Sequence, residues 1–513
     1  MTVLQQGDIN TTALSVPDVY VQIVPPSDNY INGVPTNILG IVGTASWGPV
    51  NAPVTVGDLT ACVQAFGNIK ARKYDLGTAV WASILNGAND FRCVRVTDGT
   101  DVAATAVIQT DCLTLTAKYT GSTGNSISAA LAAGSKPGTW RVTVLLPGLL
   151  PEVYDGLGKG LTGAALWKAI ADAINNGTGP MREASGLVVA TAGTGTTAPT
   201  AGSVTLKGGT DGVNSVDGST LLGVDVAPRK GMYALRGTGV KTAFLADCDD
   251  STTWTDQAAF SLDEGVYMFV VGPSGEAITD AINAKNSAGI DCWGVKVMLG
   301  DYCLFNDTVN GVKRFISPQA FLAGRRAALS PEQSTLNKPL YGIIATQKSA
   351  QSMQYSYAEL QQLTEAGIDV ITNPIPAGNQ FGGRIGCNSS SNPMINGDNY
   401  TALTNYIAYT LDKGMGIYIG RLQSPAQRSQ ARSTVSSFLA NMQLEGMIGD
   451  VNNPTKDAFT VKLDKSNNPA SRVALGWEQI DVRVTYLSII TKLLVNVEGG
   501  QSVNVNVVSS SSA

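Results

Sequence analysis

Apolar residues recur along this chain in two rhythms. Residues 38–43 read Ile-Leu-Gly-Ile-Val-Gly and 90–96 read Asp-Phe-Arg-Cys-Val-Arg-Val, short dense runs of the kind that form strands inside a sheet. Between them, "VGDLTACVQAFG" and "DLGTAVWASILNGA" space their apolar residues as helices do. Asp58 and Asp75 stand where N-caps belong, and Asn86-Gly87 closes the second helix. Strand, helices and returning strand make an α/β unit. Ahead of it, "SVPDVYVQIV" (15–24) predicts a strand preceded by a polar, mobile arm, with Pro17 at its start or at an edge.

The same alternation of elements returns in the second half. "GVYMFVVGPSGEAITDAINAK" predicts a strand and a helix, "DCWGVKVML", "PLYGIIAT" and "IDVITN" predict strands, and "SYAELQQLTEAG" a helix ending at Gly367. Helices follow at about 399–414 and 424–446, the second opened by the Ser424-Pro425 pair. The chain then reads as strands: "DAFTVKLD", "GWEQIDVRVTYL", "IITKLLVNV" and a tail in which Val503, Val505 and Val507 alternate with Asn. That tail is a half-buried strand in need of a partner, and Gly499 and Gly500 give it a free hinge.

From about residue 100 to 225 the composition shifts to Ala, Thr, Gly, Ser and Val with turn dipeptides. Trp140, Val142 and Val144 alternate too regularly for a flexible linker, so this stretch predicts a β-rich inserted domain. The expected plan is an α/β (α+β) core from 26–99 plus 226–497, two subdomains being an open alternative, with the insert at 100–225 and arms at 1–25 and 498–513. A length of 513 residues agrees with about three domains.

Composition narrows the function. Charged residues make up 15% of the chain, below the ~25% of ordinary soluble domains, as if much of the surface were covered by something else. The net charge of -5 and the lack of a Lys/Arg-rich run argue against direct nucleic-acid binding. Seven cysteines, odd in number and without a C-x-x-C, read as buried thiols made in a reducing cytoplasm and not as disulfides or a zinc site. No run approaches the ~18 apolar residues of a membrane span, and the N-terminus has no basic region followed by an apolar stretch, so neither secretion by that route nor membrane insertion is expected. Histidine is absent, which removes the commonest general base and metal ligand.

The chemical motifs are weak. "GLGKGLTG" (156–163) has Gly160 where a phosphate loop needs Ser or Thr, and no preceding strand is expected. "VVGPSGEA" places a glycine turn, 272–275, between strand and helix, where an anion would sit, but lacks a dinucleotide fingerprint. Asp247, Asp249 and Asp250 lack calcium-loop spacing, and Asp225, Asp247, Glu264 and Asp291, near strand ends, form no convincing pair. Arg325-Arg326 and the set Arg421, Arg428, Arg432 concentrate positive charge; the last two share a helix face. They read either as a solvated face or as a docking surface for an acidic partner. No metal or cofactor is implied.

Several stretches occur in a telling order: "VPDVYVQI", "GIVGTASWGPVNAPVTVGDLTACVQAFG", "AVWASILNGANDFRCVRV", "YTGSTGNSIS", "LKGGTDG", "RSTVSSFLANMQLEGMIGD", "FTVKLDKSNNP" and "GWEQIDVRVTY". Together they resemble the contractile tail sheath proteins of bacteriophages, which are related to the sheaths of R-type pyocins and, more distantly, of type VI secretion systems. The chain departs from the family pattern at Asp18, at Ala88 and through 374–398. The resemblance implies a non-enzymatic structural subunit without cofactors, made in the host bacterial cytoplasm and located in the virion tail. Its implied partners are further copies in hexameric rings and a helical array, the tail tube protein, and baseplate and tail terminator proteins. The core would form the inner layer and the insert would project outward. Arms that add strands to sheets of neighbouring subunits would use Val19, Tyr20, Val21 and Ile23 at one end and Val503, Val505 and Val507 at the other, hinged at Gly499 and Gly500. Arg428 and Arg432 would touch the tube. Two other readings stand beside this one: an α/β enzyme with an anion site at 272–275, and a surface-layer or adhesin-like protein built on the insert.

Overall fold

The computed structural model describes residues 3–6, 20–23, 31, 33–180, 182–495 and 497. Its centre is a seven-stranded sheet in the order Ile368–Asp369, Val295–Met298, Tyr267–Val271, Thr242–Leu245, Ile38–Gly43, Asp90–Arg95, Pro53–Val56. All neighbours pair in parallel except the last, which runs antiparallel to Asp90–Arg95. Parallel strands need crossovers, and crossovers put helices on both faces. Every residue of Ile38–Gly43 is accordingly buried. Leu39 and Ile41 point into a cluster with the helices Leu59–Phe66, Leu76–Leu85 and Gln319–Ala328, while Ile38 and Val42 point into another with Trp254–Glu264, Ile278–Ser287 and Tyr357–Ala366.

The local signals hold. Asp58 accepts from Ala61 N–H at 2.7 Å and Asp75 from Thr78 N–H at 2.9 Å. Ser356 and Glu359 form a reciprocal capping box, and Gly367 closes that helix in the left-handed conformation. Each such cap is worth about 1 kcal/mol.

The insert has its own core. A four-stranded antiparallel sheet (Glu152–Leu157, Trp140–Leu145, Ser128–Ala133, Gly202–Thr205) and a three-stranded one (Val188–Ala192, Leu113–Ala117, Thr105–Gln109) enclose the helix Gly163–Asn176. Three features differ from expectation. That helix, whose Leu166, Trp167, Ile170 and Ile174 recur at helical spacing, is passed over when the region is read as β-rich from its overall composition. The strand Glu152–Leu157 does precede "GLGKGLTG", but it is an antiparallel edge strand with an irregularity between Tyr154 and Leu157 that blurs its alternation. Val216 and Leu221 bury in the core, so the chain has left the insert by residue 216; its small-residue composition simply runs on past the junction.

The insert is keyed to the core. Trp47, from the loop after Ile38–Gly43, is buried in the insert's own cluster. Arg95, at the end of a core strand, is wholly buried and donates to Gly48 O at 2.8 Å, Thr120 O at 2.8 Å and Asp211 O at 3.4 Å. The Asp211 carboxylate in turn takes Ser122 N–H at 2.6 Å and Arg72 at 2.6 Å. Gly121, at φ 125, lies against the Ser46 carbonyl where a Cβ would clash.

A C-terminal module completes the molecule: the helices Asp398–Met415 and Pro425–Leu444 and the two-stranded sheet of Phe459–Lys462 with Asp481–Val484, around Leu403, Val435, Phe438, Leu439 and Val461. All seven cysteines are free thiols; six are buried and Cys292 is partly buried.

Candidate assembly surfaces

The two-stranded sheet of the module stands alone, its strands paired only with each other among the described residues. Such a ribbon is marginal by itself and leaves backbone groups open along both edges. The chain leaves it beside Tyr486, whose hydroxyl lies 3.1 Å from Thr404 Oγ1 and whose ring tilts against Tyr400. Beyond that point "IITKLLVNV", expected as a strand, joins no strand of this chain among the described residues. Ile490 is 77%, Leu493 81% and Leu494 84% exposed. The expected strand does not form: the described residues of the segment have no regular secondary structure, because a strand needs a partner to satisfy its backbone and none of the described residues lies alongside as one. Exposed aliphatic surface that runs on in this way marks an interaction site.

At the other end, Tyr20, Val21 and Ile23 lie in the strand Tyr20–Ile23, paired in parallel with Val3–Gln6 in the register Tyr20 to Val3. Val19, Gly499, Gly500, Val503, Val505 and Val507 lie outside the described residues. Arg428 and Arg432 are on the helix Pro425–Leu444; Arg428 pairs with Glu478 at 3.0 Å, and Arg432 is exposed. From Lys413 to Leu444 the chain carries Lys413, Arg421, Arg428 and Arg432 and no acidic residue. Ile419 and Leu422, beside Arg421, are also strongly exposed.

The remaining candidates are occupied structurally. In the 272–275 turn, Gly275 N–H donates to Gly300 O at 2.7 Å and Glu276 N–H to Pro273 O at 3.2 Å. The Glu276 carboxylate folds over Gly272 and accepts Gly300 N–H at 2.8 Å, filling the place an anion would take; burial pushes its pKa up to about 7. Asp247 is half-buried and accepts Ser317 N–H at 2.9 Å, and desolvation raises its pKa. Asp249 pairs with Lys73 at 2.8 Å, and Asp250 caps a turn at Thr252. Asp225 and Glu264 both hold Arg236, each at 3.0 Å, and Asp291 takes Ser391 N–H at 2.8 Å. Arg326 is buried, donating to the carbonyls of Leu329, Ser330 and Gln333. A cleft of about 360 Å³ between the helix Leu59–Phe66 and the loop 146–149 has no charged or titratable residue in its lining. No cluster of potential metal ligands occurs among the described residues, and no helix among them is long and apolar enough to cross a membrane.

Sequence reasoning missed one group altogether. Lys296, in a central strand, is fully buried with Asp369 at 2.5 Å and Asp398 at 2.8 Å, both also 0% exposed. Burial opposes the lysine's charge, but the two carboxylates hold its pKa above the usual range; the same attraction outweighs burial at Asp398 and holds its pKa low. The one available signal was a lysine in an otherwise apolar strand buried on both faces.

No family model matches the sequence, and no curated protein does. Solved structures do match. A sheath tail protein from Listeria innocua is 16% identical with a TM-score of 0.61, covering 85% of this chain and 90% of its own. One from Desulfitobacterium hafniense is 17% identical with a TM-score of 0.57, covering 87% and 93%. The contracted sheath of an extracellular contractile injection system is 12% identical with a TM-score of 0.55, covering 96% and 99%. Over most of its length this chain therefore has the fold of the contractile tail sheath proteins.

Proposed function

We propose that this protein is the structural subunit of a phage contractile tail sheath, polymerising helically around a tail tube and shortening to drive that tube through the host envelope. The observation that carries the reading is the pairing of a sheath fold over most of the chain with a lone two-stranded sheet and a strongly exposed apolar C-terminal segment. An open sheet edge and an exposed apolar segment of strand-like composition in the same chain complement each other between copies, by strand addition. Each added backbone bond is worth about 0.5–1.5 kcal/mol net, and repetition through a lattice multiplies it. Residues 499–507 would extend the pairing, with Gly499 and Gly500 letting copies rotate while the strands stay joined.

The basic, aliphatic surface around Arg421, Arg428 and Arg432 is the proposed tube contact, suited to an acidic partner with apolar patches. The insert is the outward-projecting layer. Hexameric rings, baseplate and terminator contacts, and synthesis in the host cytoplasm belong to the same proposal. No nucleotide enters: the work comes from subunit contacts unmade at assembly and formed on contraction.

Electron microscopy of the purified full chain beside a version truncated after Glu498 tests this. Tubes or rings from the full chain, lost on truncation, are expected. Monodisperse particles in both samples at high concentration would overturn the reading.

A further inference from the structure

Both arms meet the described body at one module. The N-terminal side enters at Ile31, packed where Gly414 has no side chain, and Val34 N–H donates to Thr410 Oγ1 at 3.3 Å on the helix Asp398–Met415. The C-terminal side leaves from the strand Asp481–Val484 of the same cluster. The N-terminal side runs on from Val34 directly into the core strand Ile38–Gly43, whereas a pull on the C-terminal arm enters the subunit through the module first and reaches the core across the module's seat.

That seat contains a buried charge. Lys296 offers three donors and finds three acceptors on three separate segments: Asp369 on the sheet edge at 2.5 Å, Cys387 O in the following loop at 2.8 Å, and Asp398, the first residue of the module's helix, at 2.8 Å. Asp398 is further held by Tyr267 O–H at 2.8 Å and by Thr335 N–H at 3.0 Å, and the Thr335 hydroxyl also donates to it. The helix's other charged residues, Asp412 and Lys413, are exposed. Apolar seats such as Trp293 against Tyr400 tolerate sliding. A fully buried ion pair does not, because separating it leaves charges without water or partner.

We propose that Lys296 and Asp398 are the positioning residues that lock the arm-bearing module to the core, so that load carried by the C-terminal arm moves the whole subunit and does not peel the module away. The purpose of the lock rests on the sheath reading; the lock itself is a property of the single subunit.

Hydrogen exchange on the full chain tests it, with Asp398→Asn, Asp369→Asn and Tyr267→Phe beside the wild type. Asp398→Asn is expected to speed exchange about tenfold or more in 398–415, 459–462 and 481–484, with 38–43 and 267–271 unchanged. Asp369→Asn, which leaves Asp398 in place, should instead loosen 368–372 and 383–390. Should Asp398→Asn fail to fold, Tyr267→Phe reads the same joint by a smaller rise in the module segments. A rise spread evenly over the chain in these variants, or a module no looser than in wild type, would overturn the lock. Sheared into short pieces, sheaths of Asp398→Asn would extend the lock to assemblies. Wild-type protein that forms no tubes would count against the sheath reading while leaving the exchange result standing.

Discussion

Replacing Arg95 by Met removes the guanidinium that keys the insert to the core and keeps most of the stem. Two bonds at 2.8 Å, to Gly48 O and Thr120 O, and one long one to Asp211 O are lost, and three segments lose their common donor. Bonds from a charged donor contribute about 1.5–3 kcal/mol each before other terms. Against this stands the cost of burying the charge, which already lowers the Arg95 pKa to about 10. The net loss at the joint should be about 2–4 kcal/mol, which multiplies the open fraction by roughly 30 to 1,000. Limited proteolysis in native buffer reads that fraction, because cleavage tracks the population of the opened form when closing is fast. Cleavage should concentrate at 98–101 and 212–215, releasing an insert fragment while the core persists. An Arg95→Met protein cut no faster than wild type, or cut first elsewhere, would refute the view that this arginine holds the insert.

Three further outcomes are expected. Glu276 has its folded pKa raised from 4.5 to about 7 by burial, so its contribution is fully present below pH 4.5 and lost as pH rises through 7; Glu276→Gln should flatten that decline in urea unfolding between pH 5 and 8, and parallel curves would contradict it. Ile490, Leu493 and Leu494 changed together to Ser should alter monomer stability by only about 0.5 kcal/mol yet sharply weaken self-association in sedimentation, and unchanged association would mean this segment is not an interface. Charge reversal at Arg428 and Arg432, which sacrifices one partly exposed ion pair with Glu478 worth about 0–1 kcal/mol, should leave the fold intact by circular dichroism and lower assembly on tubes; undiminished assembly would remove these residues from the contact.

What could be read from the sequence was local. Asp58, Asp75, Ser356 and Ser424 announce helix starts because capping is chemistry within four residues. The run 38–43 announces a central strand because burial on both faces leaves no polar position. The helix Gly163–Asn176 was legible too, since Leu166, Trp167, Ile170 and Ile174 recur at helical spacing in an Ala-rich stretch, but a reading of the 100–225 region by its overall composition passes over it. The Lys296 lock joins residues 73 and 102 positions apart, if one counts from Lys296 to Asp369 and Asp398, and no local pattern encodes such partners. "IITKLLVNV" has the composition of a strand but forms none among the described residues, because a strand's partner is not written in its own residues.

The thiols have a practical consequence. Burial pushes Cys62 and Cys387 up to about 12 and Cys248 up to about 11, holds Cys93 and Cys303 well above the usual thiol range, and raises Cys292 as well. Thiolate is the reactive form, so the native subunit offers maleimide dyes almost no target, and partly buried Cys292 is the position to replace first. A cysteine added on the insert and another on the C-terminal module would then take a donor and an acceptor dye cleanly, turning each subunit into an optical ruler whose reading can be compared between the free subunit and whatever assembly it enters.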